Sequence, residues 1–289
     1  MGIQKRQNET KMQQLIVVQN QTYKHAKRIN ALLFFVSVII PVIINFILFI
    51  ELSDKLMGII SLVSFLIIFL AAFLSKTIKI NKQKAAVVQL KFDAYVFDIE
   101  DKIKIDKDVV YEQIEKYKNK DWHRKSNWYS DYDKLGKTKA MFYAQKQNVV
   151  WSNKLTKKYW RTLIVIFILI ILIVSVNLIL FDFSVVKVLT IAFTLMPAID
   201  YAKEFLRMKK DDESKTEEIN QMIVCIENSL EKIDDSDILT LLLILQHQIH
   251  DFRKNKYMIP DWFDKIHFRK LQAVEDRKAE NKTKIKDNK

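Results

Sequence analysis

The chain has 289 residues, a formal net charge of +13 and 49% hydrophobic residues. It contains only three glycines and three prolines, which excludes a β architecture with many turns and favours long helices. The apolar residues lie in long blocks with charged stretches between them, so the totals do not describe a soluble basic protein. The single cysteine, Cys225, excludes an internal disulfide and is typical of a protein whose polar parts face a reducing cytosol.

Four apolar runs have the length of transmembrane helices. Residues 1–30, which precede them, are polar and basic, predict a cytosolic helix and contain no cleavable signal peptide. The runs cover 31–50, 57–74, 163–181 and 185–199. Because a helix needs about 20 apolar residues to cross a ~30 Å hydrocarbon core, we predict two transmembrane hairpins, at 31–75 and 162–201. The fourth run is short and carries Lys187 and Pro197, so whether it crosses the whole membrane stays open.

The lysines and arginines next to these runs predict the orientation. Basic residues cluster before the first and third runs and after the second and fourth, whereas the two short turns between the runs hold only Lys55. Because such clusters stay on the cytoplasmic side, we expect both termini and the segment 76–161 to be cytoplasmic. The abundance of Lys, Ile and Asn is compatible with an AT-rich bacterial genome. The location that we expect is a bacterial inner (cytoplasmic) membrane.

The central segment 76–161 is strongly basic. It holds 21 Lys and Arg against 11 Asp and Glu. The sequence predicts that the helix of the second span continues to about residue 100 and that a helix capped by Asp106 or Asp108 follows. Residues 119–136 are predicted to form a loop. From Lys137 a helix is predicted to run without a break into the third span.

The C-terminal segment 202–289 is predicted to be helical as well. The helix of the fourth span continues to about Ile233, and a helix capped by Ser236 or Asp237 follows it. Pro260 suits the first position of the last helix. The predicted fold is therefore an all-α, polytopic membrane protein with four transmembrane helices and a helical cytosolic domain, built from this segment and the central one.

No residue pattern predicts catalysis, a metal or a cofactor. The chain contains no Gly-rich phosphate loop, no nucleophile elbow and no HExxH motif, so we expect a protein that is not an enzyme. His247 and His250 have the spacing of two zinc ligands on one helix face, but no further ligands accompany them. We therefore interpret them as solvated or hydrogen-bonded histidines.

Three amide or charged side chains lie within the predicted spans. Asn45 and Asn177 either hydrogen-bond to neighbouring helices or line a pore in an assembled oligomer. Lys187 either extends toward the membrane surface or contributes to a ring of lysines at a pore mouth. The residues alone leave both alternatives open.

The stretch before the third span combines aromatic, amide and cationic side chains. The aromatic residues are Trp128, Tyr129, Tyr143 and Trp151, and the polar ones among them are Asn127, Gln145, Lys146 and Asn148. Aromatic faces stack on bases, amides bind base edges and cations bind phosphates, so the combination suits a small nucleotide. The alternative is that the tryptophans anchor the core and the membrane interface, while the lysines contact anionic lipid of the bilayer.

Five motifs resemble a known family. They are QNQTYKHAKR (19–28), FDAYVF (92–97), NWYSD (127–131), AQKQNVVW (144–151) and LQHQIHDFRKNKYMIPDWF (245–263). Together with the four apolar runs, they resemble the SMODS-associating four-transmembrane effector family over nearly the whole chain.

The resemblance implies an effector of bacterial antiphage defence, encoded beside a nucleotidyltransferase that makes a cyclic oligonucleotide. The cytosolic part would sense this nucleotide, and the spans of a homo-oligomer would form a pore or disrupt the membrane, which leads to growth arrest or cell death. Whether the nucleotide activates or restrains the effector is left open, and no DNA or RNA polymer is expected as a partner. The alternatives are an ion channel or transporter unrelated to defence, and a membrane-anchored binding scaffold.

We predict a cyclic-nucleotide site that draws on both parts of the cytosolic domain. Its predicted members are the aromatic residues Trp128, Tyr129, Trp151 and Trp262, the cations Lys146 and Arg253, and the amides Asn127, Asn148 and Gln246. The planar guanidinium of Arg253 suits a phosphate better than an ammonium group does.

Overall fold

The computed structural model describes residues 1–47, 53–120, 127–180 and 185–287. Within these residues all regular structure is helical, so the predicted all-α fold is confirmed. The α-helices are α1 (Ile3–Gln7), α2 (Thr10–Phe34), α3 (Ile40–Ile47), α4 (Asp54–Phe97), α5 (Lys107–Tyr117), α6 (Lys137–Leu180), α7 (Val185–Ser229), α8 (Asp235–Asn255) and α9 (Asp261–Asp287). A π-helical segment (Phe35–Ile39) separates α2 from α3, and a 3₁₀ turn (Asp133–Leu135) precedes α6.

In the described part of the chain, three helical stretches are long and apolar enough to cross a membrane. They are Thr10–Ile47, Lys55–Phe97 and Lys137–Val176. The fourth apolar run begins α7, which contains Pro197 in its interior. Large apolar side chains of the spans, including Phe65, Phe69, Phe73 and Ile171, are more than half exposed. An apolar surface of this extent is typical of helices that face lipid.

The helices of the second, third and fourth spans continue far beyond the membrane, as the sequence predicts. α4 and α6 have 44 residues each, and α7 has 45. At a rise of 1.5 Å per residue, such a helix is about 66 Å long, roughly twice the thickness of the hydrocarbon core. Their protruding halves form walls of the helical domain, so this domain and the spans share the same helices.

The first span is interrupted where the sequence predicts a continuous helix. α2 passes into the π-helical segment, in which the backbone N–H of Ile40 donates to the carbonyl of Phe35. Pro41 follows in α3. A proline ring has no N–H and clashes with the carbonyl four residues earlier, which shifts the hydrogen bonds of the preceding turn. The wider π turn accommodates this proline.

The core of the helical domain joins five long helices. Its buried residues include Ile16 of α2, Phe92 of α4, Phe142 of α6, Ile226 of α7 and Leu242 of α8. Ile3 near the N-terminus and Ala279 near the C-terminus belong to the same cluster. Both ends of the chain are therefore part of one body.

An aromatic cluster lies between this core and the spans. It contains Tyr159, Trp160, Phe205, Tyr257 and Phe263. The rings of Trp160 and Phe205 meet edge to face with their centroids 4.6 Å apart, and Tyr201 Oη lies 2.7 Å from Tyr257 Oη. Each aromatic pair contributes about 0.5–1.5 kcal/mol beyond its burial. The cluster ties the start of the third span to the end of the fourth and to the connection between α8 and α9.

Two helices begin one to three residues away from the predicted position. α8 begins at Asp235, before the predicted caps Ser236 and Asp237. α9 begins at Asp261, and the carbonyl of Pro260 accepts a backbone N–H of its first turn at 3.1 Å. Pro260 therefore occupies the capping position, not the first helical position.

The other predicted boundaries agree more closely with the structure. The side chain of Asp106 caps α5 by accepting the backbone N–H of Val109 at 3.1 Å. Residues 127–132 of the predicted loop lie outside helices, whereas 121–126 are outside the described residues. α7 ends at Ser229, somewhat earlier than predicted.

Candidate functional site

The NWYSD segment is held in place by the N-terminal residues. The backbone N–H of Tyr129 donates to Gln7 Oε1 at 2.8 Å, and Gln7 Nε2 donates to the Tyr129 carbonyl at 3.0 Å. The backbone N–H of Asn127 donates to Asn8 Oδ1 at 3.2 Å. Asn127 has a φ of 59°, a left-handed conformation that asparagine tolerates better than most residues. These bonds fix the aromatic side chains of the segment against the helical core.

Asp93 is the centre of a buried polar network that the sequence pattern did not reveal. Its side chain is fully buried and accepts a hydrogen bond from Tyr129 Oη at 2.7 Å. Its second oxygen accepts from Gln246 Nε2 at 3.0 Å and from Arg253 Nη1. Gln145 Nε2 donates to Gln246 Oε1 at 2.9 Å. The network therefore joins α4, α6, α8 and the NWYSD segment.

The charges of this network are mutually dependent. Burial alone lowers the pKa of Arg253, but the Asp93 carboxylate acts against burial, and the pKa lies above its usual value. Burial, followed by the charge of Asp93, raises the pKa of Tyr129 well above its usual value, so the phenol stays protonated and donates. Removing one member of a buried ion pair costs about 3–5 kcal/mol, because the other charge is left unpaired. The network stabilises the fold only while both charges are present.

A cavity of about 830 Å³ lies beside this network. Its walls are α2, α6 and the connection between α8 and α9. Its lining cations are Lys24, Lys27, Arg253, Lys256 and Lys265, and its lining carboxylates are Asp261 and Asp264. The volume falls within the range of about 300–1,000 Å³ that is usual for small-molecule sites. The cavity, which we call the cationic cavity, is therefore large enough and positive enough for a ligand with several phosphates.

Helical spacing places the polar groups of this cavity on facing walls. Asn20, Lys24 and Lys27 of α2 are separated by four and three residues, so they share one face of the helix. Asn148 and Trp151 of α6 are three residues apart and also share a face. The two walls offer cations and amides on one side, and an amide and an indole ring on the other.

The cations of the cavity differ in how far they are neutralised. Lys24 and Lys265 are exposed and make no hydrogen bond or ion pair with the described residues. Lys27 forms an ion pair with Asp261 at 2.6 Å. Lys24 and Lys265 are therefore the cations that are most available to an anionic ligand.

Lys256 contributes a cation whose charge is sensitive to its surroundings. Its ammonium group donates to Ser152 Oγ. Burial lowers the pKa of Lys256 to about 8, and the nearby Asp212 carboxylate opposes this shift. An anionic ligand in the cavity would raise this pKa again, because it would stabilise the charged form.

Of the nine predicted site residues, four line the cationic cavity. They are Trp128, Asn148, Trp151 and Arg253. Tyr129 and Gln246 lie behind the wall, where both donate to Asp93. These two side chains hold Asp93, the partner of Arg253, in position, and they do not line the cavity.

The remaining three predicted members lie elsewhere. Lys146 points away from the cavity and forms an ion pair with Glu227 at 2.5 Å, because residues two apart on a helix point in opposite directions. The side chain of Asn127 accepts a hydrogen bond from Asn8 Nδ2 at 3.1 Å. Trp262 is 58% exposed and is not among the residues that line the cavity. The structure does not bring these three side chains together with the other six.

The α2 wall and Asp93 were not predicted from the sequence. The lysines of α2 lie just before a span, so positive charge at that place is explained by topology alone. The available signal was the spacing that puts Asn20, Lys24 and Lys27 on one face. Asp93 is the only carboxylate between residues 82 and 97, where apolar and basic residues surround it. A lone acid on a buried helix face indicates a buried partner.

The polar residues of the spans are described only in part. Asn45 is buried, and its Nδ2 donates to Thr194 Oγ1 at 3.1 Å and to the Pro41 carbonyl at 2.9 Å. The hydrogen bond to Thr194 joins the first span to α7. The side chains of Asn177 and Lys187 lie outside the described residues, so the pore alternative stays a prediction for both.

Among the described residues, no group of three or more His, Cys, Asp or Glu side chains is placed to hold a metal ion. His250 is buried, and its Nδ1 has no hydrogen-bond partner among these residues. Burial lowers the pKa of His250 to about 4, so this imidazole is neutral at pH 7.

The protein has long membrane helices that end in a helical domain with a cationic cavity. Its class is therefore that of an all-α, polytopic membrane protein. The chain belongs to the family of the SMODS-associating 4TM effector domain, whose model matches residues 1–283. The resemblance carried by the five motifs is thereby confirmed, and with it a fold with four transmembrane helices. The family description links the chain to cyclic-oligonucleotide signalling in defence and describes it as a membrane effector. No curated protein and no solved structure matched the chain.

Proposed function

We propose that this protein is a membrane effector of bacterial antiphage defence, controlled by a cyclic oligonucleotide that binds in the cationic cavity. The observation that carries the proposal is the cavity of about 830 Å³ with five lining cations and two lining carboxylates. Membership of the effector family makes a nucleotide the natural anion for such a cavity. The spans of an oligomer would then form a pore or disrupt the membrane, and the cell would stop growing or die.

The lining suits the parts of a cyclic oligonucleotide. Its phosphates would bind Lys24 and Lys265, which have no partner among the described residues, and the free guanidinium donors of Arg253. Its bases would stack on Trp128 or Trp151, and the amide of Asn148 would bind a base edge. A ligand that carries both phosphates and flat rings uses all of these groups.

The walls of the cavity offer a route from the ligand to the membrane. α2 leads into the first span, and α6 is continuous with the third. Tyr257, which also lines the cavity, has its hydroxyl 2.7 Å from that of Tyr201 at the end of the fourth run. A ligand that draws α2, α6 and Tyr257 together would therefore move three spans relative to one another.

Calorimetry on the purified full-length protein in nanodiscs tests the proposal, with a panel of cyclic di- and trinucleotides. Lys24→Ala and Trp151→Ala should each weaken binding about tenfold, because a charge-assisted bond and a stacked ring each contribute about 1–3 kcal/mol. Lys11→Ala is the matched control, since Lys11 is an exposed lysine of the same helix outside the cavity. Absence of binding to every nucleotide, or equal weakening by Lys24→Ala and Lys11→Ala, would contradict the proposal.

A further inference from the structure

A second cavity, of about 710 Å³, lies between α4 and α7 at the end of the spans that carries the helical domain. One part of its lining is apolar and belongs to the predicted spans, with Leu33, Ile68, Ala71 and Pro197. The other part lies beyond the ends of the spans and is charged. The cavity therefore crosses the boundary between hydrocarbon and headgroups, and we call it the boundary cavity.

The two charged walls of the boundary cavity carry opposite signs. The α4 wall carries the lysines Lys76, Lys79 and Lys82, and the α7 wall carries the carboxylates Asp200, Glu204, Asp211 and Asp212. The cations of the α7 wall are already neutralised, because Arg207 binds Glu204 through two bonds of 2.6 and 2.8 Å and Lys215 binds Glu218 at 2.7 Å. Glu204 is neutralised by the same pair, and Asp200 forms an ion pair with Lys203 at 3.6 Å. The carboxylates that remain on the α7 wall are therefore Asp211 and Asp212.

Several of these charges have no partner among the described residues. Lys76, Lys79 and Asp211 are exposed and make no hydrogen bond or ion pair there. Asp212 is buried. Among the described residues, its side chain accepts one hydrogen bond, from the backbone N–H of Tyr257 at 3.3 Å. Lys82 is buried too, and its ammonium group donates to two backbone carbonyls, at 2.9 and 3.0 Å. Lys76 and Lys79 of α4 and Asp211 and Asp212 of α7 therefore line the same cavity from two helices.

We propose that the boundary cavity binds a phospholipid with an ethanolamine headgroup. The phosphate lies toward Lys76 and Lys79, the primary ammonium lies toward Asp211 and Asp212, and an acyl chain follows the apolar lining. Basic pockets between spans at the cytoplasmic side bind lipid phosphates. In this cavity the carboxylates also favour a headgroup that carries a cation with N–H donors. An anionic glycerol headgroup leaves the carboxylates unpaired, and a choline headgroup has no N–H to donate.

This lipid site does not depend on nucleotide binding, although the two cavities are neighbours. Tyr257 and Met258, in the connection between α8 and α9, line both of them. The connection is therefore a shared wall between the cationic cavity and the boundary cavity.

Native mass spectrometry of the full-length protein tests the proposal, after exchange into detergent with ethanolamine, glycerol or choline phospholipids of the same acyl chains. We expect the ethanolamine lipid to be retained in preference to the other two. Lys79→Ala should lower retention of the ethanolamine and glycerol lipids about tenfold, because both lose a phosphate contact. Asp211→Asn should lower retention of the ethanolamine lipid alone and abolish its advantage over the glycerol lipid.

Lys158→Ala is the matched control, because Lys158 is an exposed lysine near the start of the third span and outside the cavity. It should leave the retention of all three lipids unchanged. Equal retention of the three lipids by the wild type would overturn the proposal, and so would a preference for the glycerol lipid. A preference for ethanolamine that survives Asp211→Asn would also overturn it. Far-UV circular dichroism establishes that each variant is folded.

Discussion

At the scale of single residues, Arg253 belongs both to the buried network and to the cationic cavity. One guanidinium nitrogen binds Asp93, while the side chain also lines the cavity. Arg253→Met and Asp93→Leu, each made alone, should lower the free energy of unfolding by about 3–5 kcal/mol, since each leaves a buried charge unpaired. The double variant should lose less than the sum of the two. Thermal unfolding in detergent measures all three variants.

The matched control for this pair is the half-buried ion pair between Lys146 and Glu227. Lys146→Met should lower the free energy of unfolding by less than about 1 kcal/mol, because solvent screens partly exposed pairs. Strictly additive losses in Arg253→Met and Asp93→Leu would show that the two side chains stabilise the fold independently.

The burial of Asp212 predicts that the stability of the helical domain depends on pH. Burial raises the pKa of Asp212 from 3.8 to about 6, and the hydrogen bond from the Tyr257 N–H opposes this shift. Between these two values the folded protein binds a proton that the unfolded chain does not, so stability falls as the pH rises through this window. Asp212→Asn should match the wild type near pH 4 and unfold at a higher temperature above pH 6. Melting curves across this range measure the difference, and a constant difference would contradict the assignment.

At the scale of elements, local pattern predicted most of the helices and little of the site. The long helices α4, α6 and α7 follow from apolar runs that continue into amphipathic stretches, and Asp106 and Gly136 mark helix starts by their chemistry. Gly136 has a φ of 89°, a conformation that favours glycine. These signals lie within a few neighbouring residues, so one sequence is enough to find them.

The cavities depend on contacts that no local pattern contains. Lys27 forms an ion pair with Asp261, which lies 234 residues away in the sequence, and Arg253 forms one with Asp93, 160 residues away. The prediction placed Lys146 with Arg253 because a cyclic oligonucleotide needs cations for its phosphates, but the helical phase of α6 directs Lys146 to Glu227. The π-helical segment before Pro41 was also missed. The apolar composition of a span does not indicate whether its backbone hydrogen bonds follow an α-helical or a π-helical pattern.

At the scale of the whole molecule, the helical domain constrains the topology. Ile3 and Ala279 belong to one core cluster together with residues of α4, α6, α7 and α8. We therefore expect all four predicted spans to leave the membrane toward the same body, with both termini on the same side. The basic flanks predict that this side is the cytoplasmic one, because lysines and arginines beside the spans are retained there. Core packing and flanking charge are two separate reasons for one arrangement.

Reporter fusions separate these two reasons. A reporter fused after Asn30 or after Lys289 should behave as cytoplasmic, whereas one inserted between Glu51 and Lys55 should behave as external, because the sequence predicts that this segment joins the first two spans at the far side. Alkaline phosphatase and a fluorescent protein that folds only in the cytosol measure the two outcomes. Termini on opposite sides would contradict the single helical domain and the four-span fold together. Two external termini would leave the fold intact and contradict only the orientation, which would place the cationic cavity out of reach of a nucleotide made in the cytosol.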